Sequence, residues 1–381
     1  MLRLRTAPWL TAHRARVYAT LLGAFMAAFL AWILAVTLSH PSNKPIGLDF
    51  DAFWAAAHLA AAGHPASAYD NVVIEATERA ATALPPGYLA FYYPPTFLLL
   101  LLPLGLLGYS AALAAFLVAE NLLVLALLRR LVPSWLALLT FPGFLMNALS
   151  GQNAVLSASC FAAAALWLER RPVLAGAALG GLACKPQLAV CVPLALLAAR
   201  RWAALLACAV SACGLAALSW LVLGTGPWRG FLGNAGNARA DIETIAIKWP
   251  KMQSVFGLLR LAGAGNAPAY AAQALCSAAA VACLLAIAWR RPGARVEVAS
   301  MVVAALLFTP FLYDYDLALL SVPLACLFSL ALTDGWRSWE KLLLALLFLC
   351  PLLARPFGLG LGVAIGPPLV AALMANLVRR A

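Results

Sequence analysis

Six short polar motifs interrupt an otherwise apolar chain, and their residues suit acid–base chemistry beside an anionic group. They are Asp49-Phe50-Asp51, Tyr92-Tyr93-Pro94-Pro95, Gly151-Gln152-Asn153, Lys185-Pro186-Gln187, the run from Trp249 to Ser254, and Tyr313-Asp314-Tyr315-Asp316. Asp49 and Asp51 lie beside the aromatic Phe50, Phe53 and Trp54. In such surroundings a carboxyl pKa rises and the group becomes a useful general base. Lys185 splits the apolar sequence between Arg170-Arg171 and Arg200-Arg201, where a cation is costly. It either snorkels to the interface or meets a lipid phosphate, and Pro186 breaks the helix there and frees backbone groups. Lys248 and Lys251 around Trp249-Pro250 suit an anionic headgroup.

Each motif also has a plainer reading. Asp49 or Asp51 can cap a helix through its side-chain oxygen, though one cap does not account for both. Gly151-Gln152-Asn153 suits a helix-ending turn, and one of Asp314 and Asp316 can cap the helix that follows. Glu120, alone within an apolar run, suits an interhelical hydrogen bond.

The elements that position these motifs follow from composition. Of 381 residues, 65% are hydrophobic and 10% charged, and the mean hydropathy is +0.92. A soluble domain carries about 25% charged residues, so the sequence predicts an all-α polytopic membrane protein forming a single domain over 1–381. Apolar runs predict about twelve spans, near 17–39, 109–130, 132–149, 152–168, 172–184, 187–199, 202–224, 268–289, 296–311, 316–333, 341–354 and 358–378. For the basic pairs to share one side, the segment Pro94–Leu107 must not be a full crossing, and its length of about 14 residues allows a re-entrant or tilted element.

Basic residues orient these spans. With the arginine pairs at 129–130, 170–171, 200–201, 290–291 and 379–380 inside, 17 basic and four acidic residues lie on the cytoplasmic side and nine of each outside. Glu120 sits within a span, and the net charge of +12 resolves into a topology signal rather than a nucleic-acid footprint. Residues 1–16 and the C-terminus are then cytoplasmic, and loops over 40–92 and 225–267 lie outside, carrying every polar motif. Short amphipathic helices are expected in the first loop. Asp51, Trp54, Ala55 and His58 recur at helical spacing, predicting one that lies along the membrane surface. Nine cysteines in apolar runs and four scattered histidines offer no metal-ligand spacing and imply no cofactor.

Taken in order, the motifs resemble glycosyltransferase family 87. The matching features are Asp49-Phe50 with Phe53-Trp54, Gly63, Tyr69-Asp70, Tyr93-Pro94-Pro95, Gly151-Gln152-Asn153, Lys185-Pro186-Gln187, Lys251 to Phe256 and Tyr313 to Asp316. The resemblance implies a GT-C-like bundle in the bacterial inner membrane that moves a sugar, a hexose such as mannose, from a polyprenyl-phosphate donor. The acceptor would be a hydroxyl of a lipid or glycan at the periplasmic face, and the transfer inverting. It implies Asp49 as the catalytic base, with Asp51 at a variable position. Lys185, Lys248 and Lys251 would neutralise the departing phosphate, while Tyr93, Gln152, Asn153, Gln187, Asp314 and Asp316 would bind donor sugar or phosphate. Family members often carry a histidine near the motif matched to Tyr313-Asp314-Tyr315; here no histidine follows residue 64, and His58 is the nearest candidate replacement. A transporter or lipid flippase is the rival reading. Such proteins place binding groups at the bilayer midplane and show repeated halves, and no half-to-half match is present.

Overall fold

The computed structural model describes residues 2–39, 46–47, 49–82 and 89–381. The rest of the 40–92 loop, Lys44 included, lies outside the described residues. Every named element is helical, and the described residues contain no strand beyond one isolated antiparallel bridge between Met252 and Tyr313.

Among the described residues six helices are long and apolar enough to cross a membrane: Ala12–Thr37, Tyr109–Leu128, Trp202–Leu223, Asn266–Arg290, Asp314–Asp334 and Glu340–Leu361. The other six runs counted as spans form shorter pieces, and the sequence supplies the reason. Pro142 splits 132–149 into Trp135–Leu139 and Pro142–Ser150, and Lys185-Pro186 separates Pro172–Gly180 from Pro186–Ala189 and Cys191–Ala198. A helix such as Ala154–Trp167, 14 residues long, reaches only about 21 Å, against a hydrocarbon thickness of about 30 Å. The Pro94–Leu107 segment is likewise short, a helix over Pro95–Leu101 followed by a 3₁₀ turn over Leu102–Leu106. One boundary moves: a single helix, Glu340–Leu361, runs through Pro351 and Pro356 and carries Arg355.

The first-loop helix starts where the spacing predicts, at Phe50–Ala61, but it does not lie on a surface. Phe50, Asp51, Ala52, Phe53, Trp54, Ala55, Ala56, Ala57 and Ala60 are all buried. A helix apolar around most of its circumference finds its partners inside the protein. Phe53 meets Tyr93 and Phe97 edge-on with ring centroids 5.0 Å apart, and Phe50 lies 5.3 Å from Phe116. Gly105 permits the contact, since a Cβ there would come within 2.2 Å of the Ala57 carbonyl oxygen. The amphipathic helix of this loop is Asn71–Thr82, whose exposed Glu75–Arg79 pair is spaced one turn apart.

Candidate active site

The site begins at a helix end. The helix Pro142–Ser150 stops at Gly151, whose φ of +70° lies in the left-handed region, and its last carbonyls receive the chain that leads to Asp49. Gly47 donates its N–H to the Leu149 carbonyl at 2.8 Å, and Asp49 donates to that of Ser150 at 3.0 Å. A Cβ on Gly151 would stand 2.8 Å from Gly47 Cα and 2.7 Å from Phe50 Cβ. Only glycine closes this turn and admits the loop at once.

Asp49 occupies the N-cap position of the helix Phe50–Ala61 but has helical backbone angles and makes no side-chain cap bond. Its Oδ2 instead accepts from Gln152 Nε2 at 2.9 Å. The capping reading therefore fails for Asp49. From Gln152 a continuous chain of hydrogen bonds runs inward. Tyr93 donates its hydroxyl to Gln152 Oε1 at 2.9 Å, with Asn153 Oδ1 at 3.4 Å, and Lys185 Nζ donates to Asn153 Oδ1 at 3.2 Å and Asp316 Oδ1 at 2.5 Å. Lys185 is 3% exposed and Asp316 1%, so the ammonium is committed to a buried ion pair and does not snorkel.

The last motif contributes twice. Asp316 Oδ2 accepts the Tyr313 N–H at 3.1 Å, closing the helix start, while its other oxygen holds Lys185. Capping and ion pairing are thus one residue's work. Buried Asp314 accepts a forked pair from Arg355, Nε at 2.6 Å and Nη2 at 3.2 Å. Arg355 escapes motif reading because it stands alone between apolar residues; its one signal is a lone cation beside Pro356. The run from Trp249 to Ser254 docks against this motif, Gln253 donating its N–H to the Leu312 carbonyl at 2.8 Å.

Burial raises the Asp49 carboxyl above its ordinary value, while the Gln152 bond and the positive charge of Lys251 pull it down. Lys251 is exposed and, among the described residues, has no carboxylate within ion-pairing distance. It is the open cation of the site. Lys248 is bound elsewhere, to Asp241 Oδ2 at 2.7 Å, an oxygen that the Tyr92 hydroxyl also reaches at 3.2 Å.

Three sequence candidates stand apart. Asp51 is buried on the same helix beside the Tyr109 hydroxyl, in the aromatic cluster. Gln187 is half-buried and joins no bond of the chain from Asp49 to Asp316. His58 stacks on Trp54 with centroids 4.8 Å apart and lies 3.2 Å from the Gly105 carbonyl, so it holds the helix rather than entering the site.

Two supports emerge only in three dimensions. Glu120 accepts from Asn147 Nδ2 at 2.6 Å, and Asn147 in turn accepts the N–H groups of Gln152 and Ala154. The interhelical hydrogen bond expected of Glu120 thus braces the Gly151 turn from behind. Tyr69 donates its hydroxyl to the Tyr93 carbonyl at 2.9 Å, tying the first loop to the network. Beyond Lys185, an almost wholly apolar cavity of about 400 Å³ is lined by Leu179, Ala183, Pro186, Val190, Leu205 and Cys208.

The arrangement offers a carboxylate of raised basicity, an open cation that acts on it electrostatically, and an apolar recess beside Pro186. No group of three His, Cys, Asp or Glu among the described residues is placed to hold a metal ion. Against known proteins, the profile of glycosyltransferase family 87 matches residues 91–313, the stretch that carries Tyr93, Gln152, Asn153, Lys185 and Lys251. No curated protein and no solved structure matches the chain. With more than half of its length covered in one run, the chain belongs to glycosyltransferase family 87.

Proposed function

We propose that this membrane glycosyltransferase takes a sugar from a polyprenyl-phosphate donor and passes it, with inversion, to a hydroxyl acceptor at the periplasmic face. Asp49 accepts the hydroxyl proton while the acceptor oxygen attacks the anomeric carbon, and the bond to the phosphate oxygen breaks. Lys251 stabilises the phosphate as it departs with its full charge. Lys185 holds Asn153 and Asp316 in place, and through Tyr93 and Gln152 it fixes the base. The apolar cavity beside Pro186 suits the first isoprene units of the donor. A hexose such as mannose is the sugar this reading assigns.

One observation carries the proposal: Asp49 stands at a helix start yet spends its carboxylate on Gln152 rather than on a cap. Asp49→Asn keeps the shape and accepts the Gln152 bond but takes no proton. Purified variant and parent are incubated with a short-chain polyprenyl-phosphate mannose and mixed acceptors in detergent. Transfer is expected to fall by roughly a thousandfold or more, with unchanged expression and melting temperature. A variant that transfers at the parent's rate refutes the assignment, and transport of donor into proteoliposomes without product favours a transporter instead.

A further inference from the structure

At the ends of the helices remote from the candidate site lies a second cavity, of about 450 Å³. The helix Ala154–Trp167 begins beside Asn153 and ends here, and Ala294–Phe308 begins here and leads toward Tyr313. The two sites are therefore separated by about 20 Å of helix.

Three arginines from three different connections converge on this cavity: Arg130, Arg170 and Arg295, between apolar walls that include Leu131, Leu166 and Leu330. None of the three has a carboxylate within ion-pairing distance or a hydrogen-bonded acceptor among the described residues. The one acid on the wall, Glu169, is taken up by Arg201 at 2.6 Å, and Arg201 also holds buried Glu297 at 2.8 Å. Counting that triad, the cavity keeps two positive charges in excess.

Other basic residues at this level are spent differently. Arg129 lies over Trp135 at 5.3 Å, Arg200 over Trp289 at 5.0 Å and Lys341 over Trp336 at 5.5 Å. Those exposed tryptophans mark headgroup depth, where amphipathic rings settle. A recess at that depth with three unspent guanidiniums and apolar sides matches a phosphodiester joined to acyl chains. Guanidinium forks suit phosphate oxygens, and a cavity of this volume falls in the range of small-ligand sites.

We infer that Arg130, Arg170 and Arg295 form a binding site for the phosphate of one anionic phospholipid, on the membrane face opposite the transfer site. The site is separate from the donor's.

Native mass spectrometry of the purified full chain tests it, with phosphatidylglycerol, cardiolipin and phosphatidylcholine offered as probes. The parent is expected to retain one anionic lipid and no phosphatidylcholine. Replacing all three arginines by glutamine should weaken retention by about a hundredfold, and each single replacement by about fivefold. A control triple variant removes the same charge from exposed positions outside the cavity, Arg16→Gln, Arg171→Gln and Arg290→Gln, and should keep the lipid. Equal loss in the control would reduce the effect to bulk attraction and overturn the site. Undiminished retention in the cavity variant would do the same. Millimolar inorganic phosphate should not displace the lipid, since it lacks the acyl contacts; displacement would assign the cavity to a soluble anion and overturn the lipid reading. The single variants, each at a half-buried or exposed position, keep the comparison open should the triple variant fold poorly.

Discussion

Gln152→Ala separates tuning of the base from binding of the substrate. In the parent, Gln152 Nε2 donates to the Asp49 carboxylate at 2.9 Å, a bond that favours the charged form and opposes the rise caused by burial. A hydrogen bond to a charged group contributes about 1.5–3 kcal/mol, and one pKa unit corresponds to 1.36 kcal/mol. Losing a donor of that strength should therefore push the Asp49 carboxyl further up. The base works only when deprotonated, so its activity disappears as pH falls through the folded-state pKa. The parent's acid limb should already lie above that of an exposed aspartate, whose ordinary value is 3.8, because burial is the largest influence on the group. In the variant the limb should move to higher pH, with a loss of roughly tenfold to a hundredfold below it and a plateau near the parent's above it. The assay is initial rate of sugar transfer against pH under subsaturating donor, with thermal unfolding followed in parallel. A uniform loss at every pH, with the limb unmoved, would show that Gln152 binds substrate and does not tune Asp49. An unchanged profile would remove Gln152 from the mechanism altogether.

Three further substitutions probe the scaffold. Gly151→Ala forces a side chain into the left-handed region at about 1–2 kcal/mol and into contact with Gly47 Cα at 2.8 Å; it should lower kcat more than the melting temperature, as read by paired kinetics and thermal shift. Lys185→Met strands the buried Asp316 carboxylate and should destabilise the protein by about 3–5 kcal/mol, while Asp316→Asn in the same chain, which keeps the bond to the Tyr313 N–H, should restore most of the melting temperature but not activity. Glu120→Ala releases Asn147 and the turn it braces, and a loss of about 1–3 kcal/mol should appear in unfolding together with slower transfer, although Glu120 is a full helix away in sequence from any polar motif.

The helical class, the gathering of the motifs and the role of Gly151 were legible because each rests on a local property. Hydropathy marks apolar runs, proline and glycine mark their breaks, and a polar tripeptide between two such runs has few places to lie. The fate of individual charges was less legible. Lys185 reads as a free cation for phosphate, yet Asp316 lies 131 residues away in sequence and 2.5 Å away in space; no periodicity connects them. Asp49 reads as a cap because local sequence offers the open N–H groups of the helix start, whereas the competing donor, Gln152, comes from another helix end. The first-loop helix reads as a surface helix for a related reason. Its polar positions, Asp51 and His58, suggested a wet face, but alanines and aromatic rings cover the rest and the helix is enclosed.

The pairing of charges argues further for which cation meets the phosphate. Asp314 is matched by Arg355 and Asp316 by Lys185, each within hydrogen-bonding distance. Those two pairs are neutral, and breaking either to reach a ligand would leave a buried carboxylate exposed to a second negative charge, at a cost of several kcal/mol. Asp49 and Lys251 differ: they feel one another electrostatically without forming an ion pair, and Lys251 is exposed. An anionic donor can therefore take Lys251 as a partner without stranding anything. Its arrival would also reduce the hold of Lys251 on Asp49, raising the carboxyl's proton affinity at the moment the acceptor hydroxyl must be deprotonated. Lys251→Ala should accordingly lower kcat/KM for the donor and shift the acid limb upward in free enzyme, whereas an unchanged kcat/KM would place the phosphate elsewhere.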